Sequence, residues 1–138
     1  MPKKVLIVED NEDTRSFMKF LIESYGYQVI EAADGIEALE LFKHRKPDII
    51  LMDVSLPFVD GLTAAKAIRE VEVSGEVPII IVTALGKAYY EQAIAAGCNA
   101  LLPKPLDFNV LEPLIEEYHH LVSKTFSEEK DFSLLFIS

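Results

Sequence analysis

The sequence predicts an α/β protein built on an open, doubly wound parallel sheet of five strands. Three observations predict it. Five short runs rich in Val, Ile and Leu punctuate the chain, several of them apolar on consecutive residues, as strands covered on both faces require. Amphipathic segments at helical spacing lie between them. The resulting βα unit repeats five times, which calls for right-handed crossovers with helices on both faces.

The elements follow in order. VLIV (5–8) reads as the first strand, and Thr14, Phe17, Met18, Leu21, Ile22 and Tyr25 form one apolar helical stripe that Gly26 stops. YQVIEA (27–32) is the second strand. Ile36, Leu39 and Phe42 mark a second helix, closed by Pro47. DIILM (48–52) is the third strand, and Leu62, Ala65, Ile68 and Val71 mark a third helix that ends near Ser74-Gly75. PIIIV (78–82) precedes a short helix over 87–96, stopped by Gly97. ALL (100–102) is the fifth strand. Asp107 caps a last helix running to about Lys124, with Pro113 in its early turns, where a missing N–H costs least. The stretch 125–138 differs, because a charged patch is followed by Phe132, Leu134, Leu135, Phe136 and Ile137. So much apolar surface predicts an ordered tail, docked on the body or on a second copy.

With 138 residues the chain is expected to form one domain, residues 1–124, plus that tail. A net charge of −10 argues against direct contact with nucleic acid. The single cysteine, Cys98, allows no internal disulfide, and its small neighbours suggest a buried structural thiol. The start has too few apolar residues for a signal peptide, and no run is long enough to span a membrane. A soluble cytoplasmic protein is the expectation.

In a sheet of this kind, ligands bind beyond the carboxyl ends of the strands. Glu9 and Asp10 follow the first strand, Asp53 and then Ser55 the third, Thr83 and Ala84 the fourth, and Lys104 and Pro105 the fifth. Two like charges at ~4 Å repel by about 4 kcal/mol at an effective dielectric near 20. One lysine does not offset three acids, whereas magnesium, with its preference for carboxylate, carbonyl and water oxygens beside a phosphate, does. Asp53 then stands as a nucleophile toward a phosphoryl donor, with the metal and Lys104 offsetting incoming charge and the Thr83 hydroxyl donating to a phosphoryl oxygen.

The chain resembles the receiver domain of two-component response regulators through VLIVEDNEDTR (5–15), DIILMDVSLPFVDG (48–61), PIIIVTA (78–84) and LLPKP (101–105). The resemblance covers residues 4 to about 122. It implies a flavodoxin-like fold with strand order 2-1-3-4-5 and a phosphoacceptor at Asp53. It also implies magnesium (or manganese) held by Glu9, Asp10, Asp53 and the backbone carbonyl of Ser55. Thr83, Ala84 and Lys104 would bind or sense the phosphoryl group, the Lys104–Pro105 bond would be cis, and Asp60-Gly61 would turn the chain into the third helix. The implied partners are a histidine kinase or histidine phosphotransfer protein upstream and a protein target downstream. Homodimerisation is a further expectation, and such a domain is no enzyme on an external substrate.

Two departures stand out. Leu101 occupies a position where the family usually carries an aromatic that moves with the Thr, which puts that half of the switch in doubt. Ser55 and Leu85 occupy the two positions that tune acyl phosphate lifetime, and neither is an acid or amide able to orient water. Slow self-dephosphorylation is expected. No output domain follows in this sequence, so the chain is either a receiver acting alone or one cut from a larger protein.

Other readings carry less. Glu12 and Asp13 fit ordinary helix N-terminal acids. His44, His119 and His120 fit solvated positions, and Tyr89-Tyr90 is divided between an exposed face and partial core packing. A receiver-fold scaffold independent of phosphorylation is motivated by Leu101 and the tail. A haloacid-dehalogenase-type phosphatase would need Asp10-x-Glu12-x-Thr14 as its motif, but Glu replaces the second Asp. A nucleotide-binding reading fails because the loop after the first strand is acidic and lacks glycine.

Overall fold

A computed structural model describes residues 3–72, 77–84 and 86–121. The elements alternate as β1 (Lys4–Val8), α1 (Glu12–Ser24), β2 (Gln28–Ala32), α2 (Gly35–Arg45), β3 (Ile49–Asp53), α3 (Gly61–Val71), β4 (Ile79–Thr83), a 3-10 turn (Gly86–Tyr89) with α4 (Tyr90–Ala95), β5 (Ala100–Pro103) and α5 (Phe108–Leu121). The sheet is parallel in the order β2-β1-β3-β4-β5, as expected.

Alternation along each strand sorts the core into two layers. Leu6 and Val8, Ile50 and Met52, and Ile79 and Ile81 face α2, α3 and α4 through Ala38, Ala64, Ala65, Ile68 and Ala93. Val5 and Ile7, Ile49 and Leu51, and Ile80 and Val82 face the opposite way, onto Met18 and Ile22 of α1 and Leu111, Leu114, Ile115 and Tyr118 of α5. Strands β3 and β4 are buried along their whole length. Each such Ile or Leu contributes roughly 1.5–3 kcal/mol of burial, which fixes the register and so the height at which every strand ends.

Helix starts follow from short polar caps that accept orphan amides. Asn11, Asp34 and Asp60 accept from Thr14, Glu37 and Thr63 at 2.8, 2.8 and 2.9 Å, and Asp107 accepts from Asn109 at 2.9 Å. Gly26 and Gly97 take left-handed φ of 96° and 90° just past α1 and α4. Lys46 does the same at 49° after α2, ahead of Pro47.

Some expectations shift in detail and others hold. Ile36 is exposed and Phe17 half-exposed, because α1 and α2 bury a narrower stripe than the periodicity allowed. Pro113 sits in the second turn of α5. The fourth helix begins as a 3-10 turn without a side-chain cap. Helix α3 ends at Val71. Cys98 is buried, His44 is exposed beside Glu40, and Tyr89 and Tyr90 are partly buried against the core. Leu85, the tail 125–138 and the side chains of His119 and His120 lie outside what is described.

Candidate functional site

Because the order reverses between β1 and β3, the ends of those strands open a crevice, and the acids gather there. Asp53 is the last residue of β3, paired in register with Val82, while Val8 pairs with Met52. Glu9 continues the β1–β2 ladder by one bond, its amide donating to Ala32 O at 3.0 Å. Glu9 and Asp53 are only 3% and 6% exposed, whereas Asp10 is open to solvent. Oxygens of all three carboxylates lie within 4.8 Å of one another.

Lys104 reaches the cluster from the end of β5. Its Nζ donates to Asp53 Oδ2 at 2.8 Å and to Glu9 Oε1 at 3.2 Å. Its amide donates to Thr83 O at 2.9 Å, which sets β5 against the end of β4, and the Lys104–Pro105 bond is cis. Thr83 itself is buried, with Ala84 exposed beyond it. The Ser55 amide donates to Asp53 Oδ1 at 3.1 Å and the Asn11 amide to Glu9 Oε2 at 3.0 Å.

Electrostatics shows how hard the site is on its own members. Burial raises the Glu9 carboxyl above its usual range. The Asn11 amide pulls it back, Asp53 pushes it up again, and Lys104 lowers it. Burial alone would lower the Lys104 ammonium, but the hydrogen bond and charge of Asp53, followed by those of Glu9, raise it above the ordinary lysine value. Among the described residues, three carboxylates gather around one ammonium. The set of hard oxygen donors, two of them buried, fits a dication such as magnesium.

The structure therefore brings Glu9, Asp10, Asp53 and Lys104 together, with Thr83 at the neighbouring strand end. Leu101 points elsewhere: it is buried in the layer where Tyr89 and Tyr90 also pack. Gly61 matters more than a turn match suggests, because a Cβ there would run into the Asp53 carbonyl oxygen. The sequence reading missed Arg15, which donates to the Glu9 carbonyl at 2.8 Å, and Phe58, which is 86% exposed with φ of 66°. A cavity of about 610 Å³ opens beside Lys104, lined by Phe17, Met18 and Leu21 of α1 and by Pro105. No helix among the described residues is long and apolar enough to cross a membrane.

Comparison with known proteins agrees with this geometry. The family described as response regulator receiver domain matches residues 5–116. The chain belongs to that family. The receiver is 40% identical over 119 residues to the polar-differentiation response regulator DivK of Brucella anthropi, covering 86% of this chain and 97% of the relative. Among solved structures, it is similar to the receiver domain of sensor histidine kinase PA1611 from Pseudomonas aeruginosa PAO1, described with a magnesium ion coordinated in its active site cleft. There the TM-score is 0.78 at 34% identity, over 86% of this chain and 98% of that one. The chemotaxis protein CheY4 of Vibrio cholerae gives a TM-score of 0.80 at 28% identity, over 86% and 99%. Receiver domains of this family are in general signalling modules rather than enzymes.

Proposed function

We propose that this receiver takes a phosphoryl group from a histidine kinase or histidine phosphotransfer protein onto Asp53, and that the modified domain changes its affinity for a protein partner. The observation that carries the reading is the Asp53 carboxylate, held between Lys104 Nζ and the Ser55 amide, with Glu9 and Asp10 beside it.

Glu9, Asp10, Asp53 and the Ser55 carbonyl would hold magnesium (or manganese), which when bound supplies charge neutralisation to the entering group. The chain's own residues do the rest. A carboxylate oxygen of Asp53 attacks phosphorus in line with the phosphoramidate nitrogen. The P–N bond breaks, the P–O bond forms, and the departing imidazole keeps its electron pair and takes up a proton. Lys104, already tied to Asp53, follows the charge onto a phosphoryl oxygen. Thr83 and the adjacent Ala84 face the new group from β4 and bias the domain between two states. The domain thus catalyses only its own modification.

The apolar cavity that Lys104 shares with Phe17, Met18 and Leu21 of α1 offers a donor protein a docking surface next to the acid cluster. The remaining proposals are a cytoplasmic location, a folded body over 1–124, and a 125–138 tail that docks on the body or on a second copy. The decisive experiment is incubation with acetyl phosphate and magnesium, read by intact mass and peptide mapping. One phosphoryl group on Asp53, absent in Asp53→Asn and reduced in Asp10→Asn, is expected. Unchanged labelling of Asp53→Asn would overturn the reading by placing the acceptor elsewhere, and no labelling of the wild-type chain would favour a phosphorylation-independent scaffold.

A further inference from the structure

Among the described residues, no hydrogen bond or ion pair holds the Asp10 carboxylate, so its place in the cluster depends on the backbone that carries it. That backbone is tied on both sides. The Glu9 amide donates to Ala32 O at 3.0 Å. The Glu9 carbonyl, which shares a peptide plane with the Asp10 amide, accepts from Arg15 Nη1 at 2.8 Å. The same guanidinium donates through Nε to Glu31 Oε1 at 3.2 Å, and Lys19 lies 3.5 Å from the other Glu31 oxygen. Glu31 and Ala32 are consecutive residues of β2. Glu9 is thus clamped to one edge strand through both of its peptide planes, directly at its own amide and through Arg15 at the carbonyl of the Glu9–Asp10 peptide.

We infer that Arg15, anchored by Glu31, is a positioning residue that sets the Glu9–Asp10 peptide for dication binding. The inference rests on the metal reading given above. The Arg15–Glu31 pair is partly open to solvent, at 18% and 33% side-chain exposure. A pair so accessible adds under about 1 kcal/mol to stability. Its geometric effect is larger: a guanidinium fork bridging a carbonyl and a carboxylate fixes a peptide plane in a way a point charge does not.

Charge and positioning predict opposite outcomes, which makes the inference testable. Removing a cation near an acid cluster should tighten dication binding if only charge matters. Losing the clamp should weaken it. The variant Arg15→Ala/Glu31→Ala removes one charge of each sign, leaves net charge unchanged, and isolates the geometric part. The experiment is calorimetric titration of the full chain with magnesium chloride, alongside melting curves. We expect the double variant to bind magnesium about tenfold more weakly, the scale of effects seen when supports behind metal ligands are lost. Magnesium affinity equal to or tighter than wild type in the double variant would overturn the inference, even if its melting temperature falls, because the pair would then be merely structural. Absence of magnesium binding by the wild-type chain would overturn the metal reading, and this inference with it.

Discussion

Gly61→Ala tests how Asp53, the proposed phosphoacceptor, is held. Gly61 has no left-handed φ, so alanine suits the backbone and as a helix former would by itself gain about 1 kcal/mol. Space decides otherwise. The new Cβ would overlap the carbonyl oxygen of Asp53 and stand 3.0 Å from its carbon and from Val54 Cα, against roughly 3.5–4.0 Å for ordinary carbon–carbon contact. Both obstacles are backbone at the end of a fully buried strand, so neither rotates away. The loop has to lift by about 1 Å. That stretches the 2.9 Å bond from the Gly61 amide to Val54 O and disturbs the Asp60 cap on Thr63, each worth about 1 kcal/mol. Overpacking adds roughly 1–3 kcal/mol. The net expectation is a loss of about 2–4 kcal/mol, or a melting point lower by roughly 8–15 °C in a domain of this size. Since Asp53 shifts with its carbonyl, labelling by acetyl phosphate should slow by about 10–100-fold in the fraction still folded. Gly26→Ala is the contrast: its φ of 96° is strained for alanine, but nothing lies within 4 Å of the added carbon. It should cost about 1–2 kcal/mol and leave labelling untouched. If Gly61→Ala melts within about 2 °C of wild type and labels at the wild-type rate, the packing argument is wrong.

Other consequences can be measured directly. Phe58 closes a tight turn, with the Val59 amide donating to Pro57 O at 2.7 Å, and holds φ of 66° with its ring in water. Such strain costs about 1–2 kcal/mol for a bulky residue, so Phe58→Asn should raise the melting point, and a lower one would refute the strain. Burial, partly offset by Arg69, pushes the Cys98 thiol up to about 12, and burial also raises the Tyr118 and Tyr27 hydroxyls. The folded form therefore keeps protons that the unfolded chain releases above its ordinary values, about 8.5 for Cys and 10 for Tyr, so stability falls as pH rises through that range. Urea midpoints should drop between pH 8 and 11, and Cys98→Ala should flatten the first part of the decline. A wild-type midpoint constant over that range would contradict it. With Ser55 and Leu85 at the tuning positions, the Asp53 acyl phosphate should outlast a desalting step; loss of label within seconds from purified protein would show otherwise.

What the sequence made legible and what it hid divide along physical lines. Strand positions could be read because β1, β3 and β4 are buried on both faces, which leaves a continuous apolar signature, and because each apolar run stops at a polar residue. Asp53, Thr83 and Lys104 stand where that boundary predicted. Side-chain exposure on α1 and α2 was less legible, since Phe17 and Ile36 satisfy the helical period yet lie outside the sector that the sheet covers. Arg15 left no mark because its work is done on a backbone carbonyl, to which any residue contributes the same atom. Gly61 was visible as half of a turn, but the reason for glycine lies in a carbonyl eight positions earlier, brought close only by the β3–α3 return.

The buried Leu101 bears on how such a receiver changes state. In register it faces Ile81 across the β4–β5 ladder, in the layer where Ala93, Ala96, Tyr89 and Tyr90 close the core. A leucine in that layer has no polar tip to bring to the surface, and moving it to water would cost roughly 1.5–3 kcal/mol. Under the proposed function, a small displacement of Thr83 toward a phosphoryl group would therefore be poorly placed to act by swinging this side chain outward. Also in that layer is the start of α4, where Tyr89 and Tyr90 are only partly buried against the core, with no side-chain cap at Tyr89. In a two-state domain the element that moves is the one whose alternative costs least. Here that comparison favours the start of α4 over β5. Spectroscopic probes at Tyr90 and at Leu101 during beryllofluoride titration should then respond unequally, with the larger change at Tyr90; an equal or larger change at Leu101 would place the moving element in β5.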